Sequence, residues 1–286
     1  MQSEEYLCCA RVLSLSGERL CAEFSTSNAR RMERTCSQSG RASTSSCDVL
    51  AWWRKTGLIW LDSGKRRFSR YCHMRNIITR GVNRLLQKHI KELTQGHNNR
   101  RILVPLCGRS LDVNWLVECG HRVVGVELVE DGVLQLFGQH RWEYEVEEVR
   151  GLQGGKRYRR PDGKVEVWNT SFFNLTKDMI GVFDGIWDRG ALAASNPKDR
   201  EKYFRVILNL LDDAGSYMLD SFGYTSEKFH GPPFVFSTED IEKTLGATFT
   251  YKKLEDFPNK KMLKKVLSWG ITDIQEFLHI LKKRKT

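Results

Sequence analysis

RILVPLCGRSLDVNWLVECGHRVVGVEL, residues 101–128, is the stretch on which the fold turns. It opens with RILVPL (101–106), apolar after its first residue and broken at Gly108, which reads as a buried strand. SLDVNWLVECG follows, an amphipathic helix with Leu111, Trp115 and Leu116 inward and Gly120 as its stop. HRVVGVEL (121–128) is again nearly continuous in apolar residues, as strands covered on both faces of a parallel sheet are. Strand, helix and strand in succession make a β-α-β unit.

Such a unit has a physical reason to bind nucleosides. The turn after its first strand must let a ligand approach the backbone, which favours glycine, and the adjoining helix start offers free N–H groups. Gly108 sits at that turn. An acidic residue at the end of the second strand, about 20 residues on, can accept hydrogen bonds from two ribose hydroxyls, and Glu127 stands there. The alternative role for Glu127 is a helix N-terminal charge ahead of EDGVLQLF. A pyrophosphate fits poorly, because a dinucleotide loop wants G-x-G-x-x-G and LCGRSLDV holds a single glycine. A nucleoside without phosphates, such as S-adenosylmethionine, makes fewer demands on that loop.

The alternation continues on both sides. NRLLQKHIKEL (83–93) puts Leu85, Leu86, His89, Ile90 and Leu93 on one helical stripe, with His89 as a boundary packing residue. KRYRRPDGKVEVWN (156–169) reads as a hairpin turning on Pro161-Asp162-Gly163. FDGIWD (183–188) and SYMLDSF (216–222) read as strands, with a helix opening after Asn196-Pro197 between them. A helix from Ser237 to Leu245 precedes two strand-like runs, ATFTYKKLE and IQEFLHIL. The pattern predicts an α/β fold: a seven-stranded, mostly parallel sheet flanked by helices, the last strand antiparallel. Ligands bind beyond the carboxyl ends of the strands in such sheets. Gly108, Glu127, Ser171, Asp188 and Arg189 all fall there.

Composition bounds the class. A chain of 286 residues with 40% hydrophobic content can fill an ordinary core. The net charge of +11 attracts anions of any kind and does not by itself specify nucleic acid. No apolar run is long enough to span a membrane, and the N-terminus lacks the basic start and apolar core of a secretory signal, so a soluble, cytoplasmic protein is expected. The eight cysteines form no CxxC and no zinc-finger pairing with histidine, which predicts free thiols and no metal site. Five of them fall in the first 50 residues, together with ten serines, six arginines and no lysine. Six acidic residues in the same span argue against a transit peptide. Residues 1–75 thus read as a divergent, disordered N-terminal extension carrying a possible lid segment, and 76–286 as the functional domain.

PLCGRSLDVNWLVECGHRVVGVEL, IWDRGALAASNPKDREKY, HGPPFVFSTEDIEKTLG and LSWGI occur in this order and spacing as in thiopurine S-methyltransferases, which the chain resembles over residues 83–286. The resemblance implies a class I, Rossmann-like fold. It also implies transfer of a methyl group from S-adenosylmethionine to the sulfur of aromatic and heterocyclic thiols, by a cytosolic monomer. It assigns Leu106 and Gly108 to the cofactor loop and Glu127 to the ribose. Ser171 and Phe172 would lie along the adenine, where a hydroxyl can bond a ring edge and an aromatic can cover its face. Arg189 would stand where cofactor and acceptor meet, with Asp188 orienting it, and the two are the candidate catalytic residues.

The chain departs from the family pattern in two places. The segment that closes over the cofactor in the family ends in Phe-His, whereas WLDSGKRRFSR keeps Trp60 and Phe68 and has Ser69 after the phenylalanine. Trp60 is then the candidate lid residue on the cofactor and Phe68 on the acceptor. Before SWG, where the family can carry an arginine on the acceptor side, Lys265 is the nearest cation, and an ammonium does not reproduce a planar fork.

Two other readings stand beside this one. A nucleic-acid methyltransferase would want N/D-P-P-[YF] at the end of the strand carrying WDRG, and GPPF at 231–234 comes one strand too late. A methyltransferase fold with another small acceptor, a selenium compound or an oxyanion, or a catalytically silent binder of S-adenosylmethionine, is the other alternative.

Overall fold

The computed structural model describes residues 81–285. Helix α1 (Arg84–Thr94) leads into β1 (Arg101–Val104), α2 (Leu111–Glu118), β2 (Arg122–Glu127) and α3 (Glu130–Gln139). β3 (Glu145–Glu148), β4 (Lys156–Arg159) and β5 (Val165–Asn169) follow, then the short α4 (Lys177–Ile180), β6 (Phe183–Arg189) and α5 (Ala191–Ala194). The chain continues as α6 (Arg200–Leu210), β7 (Leu211–Gly223), α7 (Thr238–Leu245), β8 (Phe249–Pro258), α8 (Lys260–Val266) and β9 (Gln275–Lys283).

The strands form one sheet in the order β3-β4-β5-β2-β1-β6-β7-β9-β8. Its centre, β5-β2-β1-β6-β7, is parallel. β9 runs antiparallel between β7 and β8, as expected for the last strand. The fold class read from the sequence is therefore the observed one, but the sheet has nine strands and not seven. β3 and β4 extend the β5 edge in antiparallel fashion. β3 is EVEE with all four residues exposed, so it carries no apolar alternation to read. Its backbone ladder with β4 holds it, flanked by ion pairs of Glu145 with Arg159 at 2.8 Å and Glu147 with Arg157.

The period of two in each strand splits the core in half. On one face, Ile102, Trp187 and Met218 pack with Leu86 and Leu93 of α1, Val113 and Leu116 of α2 and Phe137 of α3. On the other, Leu103, Ile186 and Leu219 pack with Tyr203 and Ile207 of α6 and Ile241 of α7. Within α2 the buried residues are Asp112, Val113, Leu116 and Val117, while Trp115 is only partly covered. His89 of α1, expected to pack at the core boundary, pairs with Glu255 of β8 at 2.6 Å.

Candidate active site

The first strand stops at Val104, two residues earlier than its apolar run, because Leu106 turns into the left-handed region at φ 46. That conformation is uncommon for a residue with a Cβ. Gly108 adopts the same φ at little cost. The turn aims the Gly108 N–H at Oε2 of Glu127, 2.9 Å away, while Val129 N–H donates to Oε1 at 3.0 Å. Glu127, at the end of β2, is thus buried and fixed by two backbone donors. Gly132 of α3 allows this, since a Cβ there would lie 3.2 Å from the Glu127 side chain.

Beside Glu127 opens a cleft lined by Leu106, Val126, Leu128, Thr170, Ser171, Phe172, Phe173, Ser195 and Tyr203. A carboxylate has about four acceptor sites, so these two backbone donors do not by themselves saturate Glu127. Ser171, where the chain enters the short 3-10 turn Phe172–Asn174, brings a hydroxyl, and Phe172 and Phe173 bring aromatic faces. This donor set fits a nucleoside. Among the described residues no group of His, Cys, Asp and Glu is arranged to hold a metal ion. Of the sequence-derived candidates, Leu106, Glu127, Ser171 and Phe172 line this cleft, and Gly108 supports it through Glu127.

Arg189 and Asp188 end β6 at the same edge of the sheet but on opposite faces. Asp188 is completely buried with α6. It accepts hydrogen bonds from Tyr203 Oη at 2.7 Å, Tyr217 Oη at 2.8 Å, Ala191 N–H at 3.1 Å and Leu192 N–H at 3.2 Å. Burial raises its pKa, and those four donors oppose the rise. Asp188 therefore caps α5, and it does not orient Arg189 as the sequence reading expected, because consecutive strand residues cannot share a face.

The carboxylate that does meet Arg189 is that of Asp112, in the first turn of α2, with Nη1 3.5 Å from Oδ2. Asp112 is fully buried and also accepts from the Trp187 indole at 2.9 Å and from the Asn83 N–H at 2.7 Å. Sequence reasoning missed Asp112. Its signal was an acid inside an apolar stripe, which an ordinary first-turn charge imitates.

Lys265 lies on α8, whose Met262 and Val266 join Phe229, Ile271 and Ile274 in a third apolar cluster. It does not line the cleft. Trp60 and Phe68 fall outside the described residues. The GPPF loop is tied to this region by Phe234 N–H donating to Ala193 O at 2.7 Å, and by Tyr224 Oη donating to Pro233 O.

The sequence model of the family described as thiopurine S-methyltransferase (TPMT) matches residues 76–284. The chain is 35% identical over 200 residues to a probable thiopurine S-methyltransferase of Danio rerio, covering 70% of this chain and 85% of that protein. It is 36% identical over 201 residues to thiopurine S-methyltransferase of Canis lupus familiaris, covering 70% of this chain and 81% of that one. In structure it resembles Haemonchus contortus phosphoethanolamine N-methyltransferase 2 in complex with S-adenosyl-L-methionine. The TM-score is 0.52 at 14% identity, over 74% of this chain and 56% of that one. At that identity the likeness speaks to the fold. Family match, relatives and site geometry agree, and the chain belongs to the thiopurine S-methyltransferase family.

Proposed function

We propose that this enzyme moves a methyl group from S-adenosylmethionine to the sulfur of an aromatic or heterocyclic thiol, thiopurines included. The observation that carries the reading is Glu127, immobilised at the end of β2 by the Gly108 and Val129 N–H groups and facing a cleft with no phosphate-type loop. Glu127 would hold the ribose, Ser171 and Phe172 the adenine, and Leu106 and Gly108 the rest of the nucleoside. When bound, S-adenosylmethionine supplies a methyl group already activated on a sulfonium, so no strong base is required of the protein.

The chain's remaining task is to position the acceptor and exclude water. Arg189, held by Asp112, offers a planar cation at the carboxyl edge of the sheet. A cation close to an aromatic thiol favours its ionised form and fixes the resulting anion. Lys265 is a second cation for the acceptor side, and Trp60 and Phe68 would close over the site from the N-terminal segment. We take residues 1–75 as an extension and 76–286 as the enzyme domain, acting as a cytoplasmic monomer on a small molecule rather than on nucleic acid. Among the described residues no helix is long and apolar enough to cross a membrane.

The test pairs calorimetry with methyl transfer. The protein should bind S-adenosylmethionine and methylate members of a panel of aryl thiols, selenols and small oxyanions. Glu127→Ala should weaken cofactor binding by about 10- to 100-fold, the worth of hydrogen bonds to a charged group. Binding without transfer to any thiol would overturn the reading.

A further inference from the structure

Three carboxyl groups gather at the carboxyl edge of the sheet, on the face that Arg189 occupies. Asp112 comes from α2, Asp220 from β7 and Glu276 from β9. Strand alternation puts them there: Asp220 lies two residues after Met218, and Glu276 two before Leu278, both of which pack on this face. Asp220 pairs in register with Leu278, so Glu276 is its diagonal neighbour across the two strands. Asp220 is 2% exposed and Glu276 8%.

Their partners are amides. Asn83, which caps α1, donates from Nδ2 to Asp220 Oδ2 at 3.1 Å, and Asn259, which caps α8, donates to Glu276 Oε2. Oδ1 of Asp220 is fully enclosed and, among the described residues, receives no donor. Among the described residues, the charged groups that act on Asp220 are Glu276, Arg189 and Asp112, and those that act on Glu276 are Arg189 and Asp220. Among the described residues Arg189 is the cation acting on the pair, and it also faces Asp112.

Two like charges in contact and out of water cannot both persist when one nearby cation is shared with a third acid. A single proton between Asp220 and Glu276 removes the conflict and supplies the donor that Oδ1 lacks. Burial pushes both carboxyls above their usual range, Asp220 the further, and Arg189 opposes the rise in each.

We propose that Asp220 and Glu276 hold one proton between them behind Arg189, and that this proton limits the negative charge around the guanidinium that an anionic acceptor must approach. The pair acts through Arg189 and is a positioning device. With the proton in place, two negative charges, one on Asp112 and one on the pair, surround Arg189. Loss of the proton adds a third and weakens the pull of Arg189 on a thiolate. The inference rests on the thiol-methylating reading for its kinetic consequence, but the shared proton itself does not.

Two measurements test it. Infrared difference spectra of the ligand-free protein should show one protonated carboxyl at neutral pH, shifted by deuterium and absent from both Asp220→Asn and Glu276→Gln. Methylation of 5-thio-2-nitrobenzoate, whose thiol is ionised across the range, should lose kcat/KM by about tenfold per pH unit above the ionisation of the pair. That loss should appear in KM more than in kcat. Asp220→Asn keeps a neutral partner for Glu276, so it should match the wild type at neutral pH and show no alkaline fall, and Glu276→Gln provides the same check independently. Absence of the protonated carboxyl, or an alkaline fall that survives both substitutions, would overturn the proposal. Failure of the wild type to methylate any thiol would count against the assigned reaction and leave the infrared result to decide the pair.

Discussion

Arg189 and Asp188 adjoin in the chain yet belong to different parts of the molecule. Arg189 faces α2 and Asp112, and Asp188 faces α6 and two tyrosine hydroxyls. Arg189→Ala should lower kcat/KM for anionic thiols far more than affinity for S-adenosylmethionine, measured by steady-state kinetics beside calorimetry. Arg189→Lys should not restore the loss, since an ammonium lacks the fork. Equal loss of transfer and cofactor binding would assign Arg189 to the cofactor instead. Asp188→Ala should act differently, because it strands four buried donors. Its cost in urea unfolding should be about 3–5 kcal/mol, while the protein that remains folded keeps its methyl transfer. The residue types of the site were legible at Gly108 and Glu127, where spacing along the chain is also spacing in the turn. Asp112 was not, because its partners Trp187 and Arg189 lie on β6, a strand far along the sequence.

At the scale of elements, β6 and the GPPF loop show how motifs acquire their reasons. β6 ends in WDR because Trp187 and Arg189 share one face and meet one carboxylate, Asp112, while Asp188 between them caps the next helix. The GPPF loop reaches back to Ala193 of that helix through Phe234 N–H. Gly231 stands at φ 87, and a Cβ there would come within 2.4 Å of the Phe234 ring. Gly231→Ala should therefore destabilise by about 1–3 kcal/mol in thermal or urea unfolding and loosen α5 behind Arg189. A neutral effect would mean that the loop does not bear on that helix. Elements with a local signal were readable from sequence, including the Pro161-Asp162-Gly163 hairpin and the helix read from Ser237 to Leu245, which the structure starts at Thr238 with Ser237 and Asp240 forming a capping box. β3 was not readable, since it is held by its backbone ladder with β4 and carries only exposed ion pairs, neither of which leaves an apolar period.

For the whole molecule, pH acts on stability through groups the sheet encloses. His279 is completely buried on β9, bonds Thr238 Oγ1 through Nε2 at 3.1 Å, and has its pKa held down to about 4 by burial. In the unfolded chain a histidine titrates near 6.5. Above that pH both states are neutral and stability is unaffected. Between about 6.5 and 4 the unfolded chain binds a proton that the folded protein refuses, so stability falls as the pH drops, by on the order of 3 kcal/mol in all. Urea midpoints should decline across that window in the wild type and decline less in His279→Asn, and equal declines would remove His279 as the cause. By itself the sequence determined the α/β class, the β-α-β unit and the acid, Glu127, at the end of its second strand, because each is encoded in local periodicity and short-range spacing. Only the tertiary structure decided which acid serves Arg189, why Asp188 does not, and that Asp220 and Glu276 adjoin. Those pairings depend on strand order and register, which bring together residues that no local pattern connects.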